Sequence, residues 1–146
     1  DYGFNFRMTN IQAAIGYTQL LNEKKILKNR KQIKSYYLKF LSTNQYVTFP
    51  KAIKYSESVN WLFTITIKKN IKKLMKHLEY NYIDTRPIFY PFDKSQIFKK
   101  YVNKKDCFKN SHYFFNNGIS LPTYNGLRKK DIYYICKTIN QFCYDQ

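Results

Sequence analysis

The feature that most constrains this chain is a helix signal of unusual length near its start. Thr9 stands three residues before Gln12. That is the spacing of a capping box, in which the Thr hydroxyl accepts from the Gln amide and the Gln side chain reaches back to the Thr amide. Behind it, Ile11, Ala14, Ile15, Leu20, Leu21, Ile26, Leu27, Ile33, Tyr36, Tyr37, Phe40 and Leu41 follow a helical stripe, interrupted by the polar block Lys28 to Lys31. A periodic run from Asn10 to Leu41 exceeds an ordinary globular helix, so the chain either makes one long helix or bends between Asn22 and Lys25. Ahead of the cap, apolar Tyr2, Phe4, Phe6 and Met8 alternate with Asn5 and Arg7, which puts the two polar side chains on one side of an extended lead-in. Ala13, Ala14 and Gly16 leave room for another backbone. Gly16 favours such a contact, because glycine costs a helix about 1 kcal/mol relative to alanine.

The remainder alternates short strand and helix signals. Ser42 to Asn44 reads as a turn and Gln45 to Phe49 as a short strand stopped by Pro50. Val59 to Ile67 gives the clearest strand, with Val59, Trp61, Phe63, Ile65 and Ile67 on one face. Asn70 is placed to cap a helix whose apolar residues are Ile71, Leu74, Met75 and Leu78, and Asn81 sits where a left-handed helix end is expected. A second strand is expected through Tyr82 to Thr85. Pro87 and Pro91, with aromatic residues between them, suit a stiff loop shaped around something rather than a central strand. Ile97 to Phe108 reads as a short helix and a lysine-rich loop, and Ser111 to Asn116 as a helix closed by Gly118. The last helix, Lys129 to Phe142, aligns Ile132, Ile135, Cys136, Ile139, Phe142 and Cys143. The expected class is α/β, of α+β type: a long helix within residues 1–41, then a small sheet with flanking helices in residues 42–146.

Composition excludes several classes of function. With 44% hydrophobic and 24% charged residues in 146, the chain suits one globular core rather than a disordered tail. It has neither a run of about 18 apolar residues nor a secretion-signal pattern, so a cytoplasmic protein is expected. The three cysteines form no C-x-x-C pair and the two histidines stand at no metal-ligand spacing, so no metal site is expected. A net charge of +17 with 19% aromatic residues is the footprint of a nucleic-acid binder. However, Lys, Asn, Ile, Tyr and Phe all have A/T-rich codons, and the lysines are dispersed along the chain. Codon bias accounts for them without a ligand, so nucleic acid is the lesser alternative.

Three segments carry a resemblance. Gly3 to Gly16, Thr85-Arg86-Pro87-Ile88-Phe89-Tyr90-Pro91-Phe92, and Gly118-Ile-Ser-Leu-Pro-Thr-Tyr-Asn-Gly126-Leu127 resemble, in the same order, segments of the sugar aminotransferases of the DegT/DnrJ/EryC1/StrS family. The resemblance implies the C-terminal part of a fold-type I enzyme that uses pyridoxal 5'-phosphate. Such an enzyme moves an amino group from an amino acid, glutamate by family habit, to a nucleotide-linked keto sugar. It also implies a homodimer with shared active sites, and places the Schiff-base lysine in the domain upstream of this segment. No catalytic residue is therefore expected within residues 1–146.

By position, Asn5 would contact the cofactor phosphate of the neighbouring subunit. Arg7, Arg86 and Tyr90 would face the substrate. Local turn chemistry or an ion pair is the alternative for Asn5 and Arg7, and an ion pair with Asp84 or Asp93 for Arg86. The chain departs from the family at Asp93, where His is common, which alters what can bind there. It departs again at Arg128, Lys129 and Lys130, where the family carries acidic residues. A non-catalytic stand-alone binding or dimerisation module is the main alternative to an enzyme fragment.

Overall fold

A computed structural model of the chain describes residues 3–4, 6–51, 53–103 and 105–145. The opening helix signal resolves into two helices, α1 (Asn10–Leu21) and α2 (Glu23–Leu41), separated at Asn22, which leaves helical geometry at φ −99° and ψ 2°. The bend therefore falls at one end of the expected interval. Both halves of the capping box form at Thr9: its hydroxyl accepts from the Gln12 amide at 3.3 Å, and its own amide donates to Gln12 Oε1 at 2.9 Å.

Four short strands follow: β1 (Val47–Thr48), β2 (Phe63–Ile67), β3 (Arg86–Pro87) and β4 (Gly118–Leu121). They make one sheet in the order β1-β2-β4-β3, with every pair antiparallel. Between them lie α3 (Ile71–Tyr80), two 3-10 turns (Phe92–Lys94 and Gln96–Tyr101) and α4 (Lys109–Asn117), and α5 (Lys129–Tyr144) ends the chain. Ile33, Tyr37 and Leu41 of α2, Leu74 and Leu78 of α3, and Ile132, Ile135, Cys136, Ile139, Phe142 and Cys143 of α5 share a core with Phe63, Ile65, Ile67, Ile119 and Leu121. The Tyr37 ring stacks on Phe63 at 4.7 Å. Each large apolar side chain buried this fully contributes about 1.5–3 kcal/mol before entropy is charged against it.

Several local expectations shift. The strand predicted from Val59 starts only at Phe63, because Asn60 takes φ 50° and is held by Ser58 through two hydrogen bonds. This breaks the alternation, leaving Val59 and Trp61 exposed. Asn70 caps α3 as expected, accepting from the Lys73 amide at 3.0 Å. Asn81, at φ −91°, is not the left-handed residue; Tyr82 is, at φ 58°. Asn81 instead donates from Nδ2 to the His77 carbonyl at 2.8 Å. The second strand lies at Arg86–Pro87 rather than Tyr82 to Thr85. Proline is tolerated there because β3 is an edge strand. The helix expected from Ile97 is only the 3-10 turn Gln96–Tyr101.

Gly118 follows α4 as predicted, but for a different reason. Its backbone is extended, at φ −102° and ψ 150°. A Cβ there would come within 2.5 Å of the Phe114 carbonyl oxygen and 2.6 Å of Ile88 Cγ1, so glycine is required by close approach. Gly16 is the reverse: beyond its own helix backbone and chain neighbours nothing lies within 4 Å of an added Cβ, so the contact it was expected to mark is not made among the described residues.

Candidate functional site

α3 delivers the chain to the site through a tight reversal. The Tyr82 and Ile83 amides donate to the Glu79 and Leu78 carbonyls, both at 2.9 Å. The left-handed Tyr82 throws its ring outward, 99% exposed, while Ile83 turns into the core. Asp84, Thr85 and Arg86 then reach the sheet edge, where Arg86 pairs with Ser120 and Pro87 with Ile119. Beside this edge opens a cavity of about 690 Å³. Ile83, Leu121, Leu127 and Ile135 are its buried apolar lining, and Asp84, Arg86, Thr123, Tyr124, Asp131 and Tyr134 bring polar groups to it.

The far wall of the cavity is a tethered loop. The Thr123 hydroxyl donates to the Trp61 carbonyl at 2.6 Å, the Tyr37 hydroxyl to the Pro122 carbonyl at 2.9 Å, and Asn29 Nδ2 to the Asn125 carbonyl at 2.9 Å. Burial pushes the Tyr37 phenol far above its ordinary range, so it remains a donor. At the start of α5, Arg128 grips Asp131 through Nε at 2.9 Å and Nη2 at 3.2 Å, and its amide donates to the same carboxylate at 3.2 Å. Those bonds hold the Asp131 carboxyl below the usual carboxylate range. The basic residues Arg128, Lys129 and Lys130 at the start of α5, unfavourable to the helix dipole, are thus offset by the acidic Asp131 in its first turn.

The predicted site residues separate. Arg86 lines the cavity, and its nearest carboxylate, Asp84, stands 4.0 Å away with both side chains exposed, so the pair holds it weakly. The alternative partner Asp93 is engaged elsewhere, by His112 at 2.6 Å. Tyr90 does not line the cavity; its ring meets Phe115 of α4 edge-on at 5.4 Å. Arg7 is exposed in the lead-in before α1, and Asn5 lies outside the described residues. Sequence reasoning missed the tyrosines at Tyr82, Tyr124 and Tyr134 and the Asp93–His112 pair, which join residues far apart in the chain and leave no periodic trace.

A second surface gathers at α1. Phe4, Phe6, Met8, Ile11, Ile15, Leu20 and Leu21 are all exposed, and a groove of about 720 Å³ runs past Met8, Gly16, Leu20 and Leu27. Among the described residues no three His, Cys, Asp or Glu side chains gather as a metal site, and no helix is long and apolar enough to cross a membrane. No described lysine is buried.

Comparison with known proteins places these features. The model of the DegT/DnrJ/EryC1/StrS aminotransferase family matches residues 1–140. The GDP-perosamine synthase of Escherichia coli O157:H7 is 31% identical over 146 residues, covering 99% of this chain and 39% of that enzyme. Two solved structures share the fold. Helicobacter pylori PseC, an aminotransferase involved in the biosynthesis of pseudoaminic acid, superimposes with a TM-score of 0.87 at 23% identity, over 100% of this chain and 40% of PseC. The E. coli GDP-4-keto-6-deoxy-D-mannose-3-dehydratase with bound hydrated PLP gives 0.81 at 24% identity, over 93% and 36% of the respective chains. The chain thus spans about two fifths of the length of the relatives it matches.

Proposed function

The chain belongs to the DegT/DnrJ/EryC1/StrS aminotransferase family, and from that premise we propose that it is the C-terminal portion of a sugar aminotransferase. The parent enzyme takes an amino group from an amino acid, glutamate being the expected donor, and delivers it to the keto carbon of a nucleotide-linked sugar. The observation that carries this reading is the match along nearly the whole chain to enzymes named GDP-perosamine synthase, at 31% identity in two further bacteria besides E. coli O157:H7.

In this reading pyridoxal phosphate, when bound, supplies the electron sink for amino transfer, and the lysine that tethers it is not among residues 1–146. Asn5 donates its amide to the cofactor phosphate of a neighbouring subunit, and Arg7 reaches a phosphate or carboxylate by a two-pronged contact. Arg86, at the mouth of the 690 Å³ cavity and only weakly held by Asp84, meets an anionic part of the nucleotide sugar. Tyr90, which stands outside the cavity against Phe115 of α4, meets another part of the same substrate. Residues 1–41 form the interface segment and bridging helix, and residues 42–146 the small domain. The exposed apolar face from Phe4 to Leu21 supports this division, since a patch of that kind marks a contact surface.

The test is direct. The parent polypeptide, expressed with pyridoxal phosphate, is expected to take on the visible absorbance of the bound cofactor and to aminate a nucleotide-linked keto sugar. A folded, cofactor-supplemented parent that stays colourless overturns the reading. Residues 1–146 alone are expected to show neither property.

A further inference from the structure

The segment after β3 runs antiparallel along α4 and touches α4 at two points and Gly118, the residue that follows it, at a third. Ile88 abuts Gly118, closely enough that a Cβ there would lie 2.6 Å from Ile88 Cγ1. Tyr90 meets Phe115 at 5.4 Å. Asp93 Oδ2 lies 2.6 Å from His112 Nε2. The order 88, 90, 93 along the segment thus runs against 118, 115, 112 along α4 and the residue that follows it. We propose that the Asp93–His112 pair fastens this segment to α4 and makes both residues positioning residues for the substrate contacts at Arg86 and Tyr90. The positioning of substrate rests on the sugar-aminotransferase reading; the fastening does not.

Apart from Pro91, which is buried, the segment has little else to hold it. Pro87 and Pro91 carry no amide hydrogen, and Phe89 and Tyr90 are exposed. The hydrogen bonds of its turn are local, from the Lys94 and Ser95 amides to the Pro91 and Phe92 carbonyls. The stack of Phe92 on Phe98 at 4.6 Å joins the turn to its own continuation rather than to the sheet. Asp93, by contrast, is well buried, its side chain 14% exposed against 36% for His112. Its second oxygen, Oδ1, is buried and finds no hydrogen-bond partner among the described residues. The imidazole therefore carries the compensation for a desolvated carboxylate, the situation in which losing one partner costs most. An imidazole N–H satisfies Oδ2 from either the neutral Nε2 tautomer or the cation. Neither Asp93 nor His112 belongs to the core cluster that α2, α3 and α5 share, so releasing the pair is expected to free the segment without opening the core.

The test reads segment order and core stability separately, on the wild type, Asp93→Ala, His112→Ala and the exchanged double variant Asp93→His/His112→Asp. Amide hydrogen exchange by NMR is expected to speed up about tenfold or more at Lys94 and Ser95 in each single variant, the scale of one charge-assisted bond. The core amides of α5 should keep their rates. The double variant, which restores the pair with its ends reversed, should recover most of the protection. Unchanged exchange in both single variants overturns the fastening, as does a double variant no better than either single one.

A second arm titrates GDP-mannose into the parent enzyme by calorimetry, with binding expected to weaken about tenfold in His112→Ala and to return in the double variant. If the wild-type parent ignores GDP-mannose while the exchange results hold, the fastening stands and the GDP-sugar reading fails. If GDP-mannose binds equally well to all four proteins, the positioning role is overturned.

Discussion

The Thr123 hydroxyl donates to the Trp61 carbonyl at 2.6 Å, tying the cavity loop to the chain two residues before β2 begins. Trp61 cannot use that carbonyl in a ladder, because Asn60 has just turned the backbone to φ 50°. Thr123 therefore replaces a strand bond with a side-chain bond, and does so while 91% buried. Thr123→Val keeps the shape and removes the donor. It should lower stability by about 1–2 kcal/mol, read as a fall in the urea midpoint with unchanged slope. Thr123→Ser should keep most of the wild-type value. A valine variant as stable as the wild type would show that the bond does not hold the loop.

The two glycines beside α4 and within α1 should respond in opposite directions to the same substitution. Gly118→Ala drives a methyl into the Phe114 carbonyl and the Ile88 side chain, and the backbone oxygen cannot step aside. A loss of about 1–3 kcal/mol is expected. Gly16→Ala meets open space on a helix and should gain up to about 1 kcal/mol in this chain. Thermal melts of the two variants against the wild type check both signs.

What could be read from the sequence follows from how each feature is encoded. The capping box at Thr9, the Asn70 cap and the apolar stripe of α5 rest on spacings within one or two helical turns, and all three are present. The full length of β2 was not legible. Alternation continues through Val59 and Trp61, and only the local bonding of Asn60 with Ser58 stops the strand. Gly118 was placed correctly but its reason was invisible, since Ile88 reaches it only after the segment has folded back along α4. The site follows the same rule. Arg86 could be singled out from its motif, whereas its cavity is completed by Tyr124 and Tyr134, more than thirty residues further on.

The cysteines offer a prediction with a defined pH window. Burial pushes the Cys136 thiol from 9.0 up to about 12 and raises Cys143 as well, while Cys107 is exposed. Cys107 should accordingly react first with a thiol reagent near neutral pH, and the other two only after denaturation. The same shift makes stability depend on pH. Below about pH 9 both folded and unfolded chains keep the Cys136 proton, and its contribution to stability is fully present. As pH rises from there toward about 12, the unfolded chain sheds the proton while the folded chain retains it, so the unfolded state gains and stability falls. Between about pH 8 and about pH 10 the wild type should lose roughly 1 kcal/mol more than Cys136→Ala in urea titrations. The alanine variant starts lower because of the cavity it leaves, so the comparison is between slopes with pH. Parallel slopes for the two proteins would mean that Cys136 is not protected from ionisation in the folded chain.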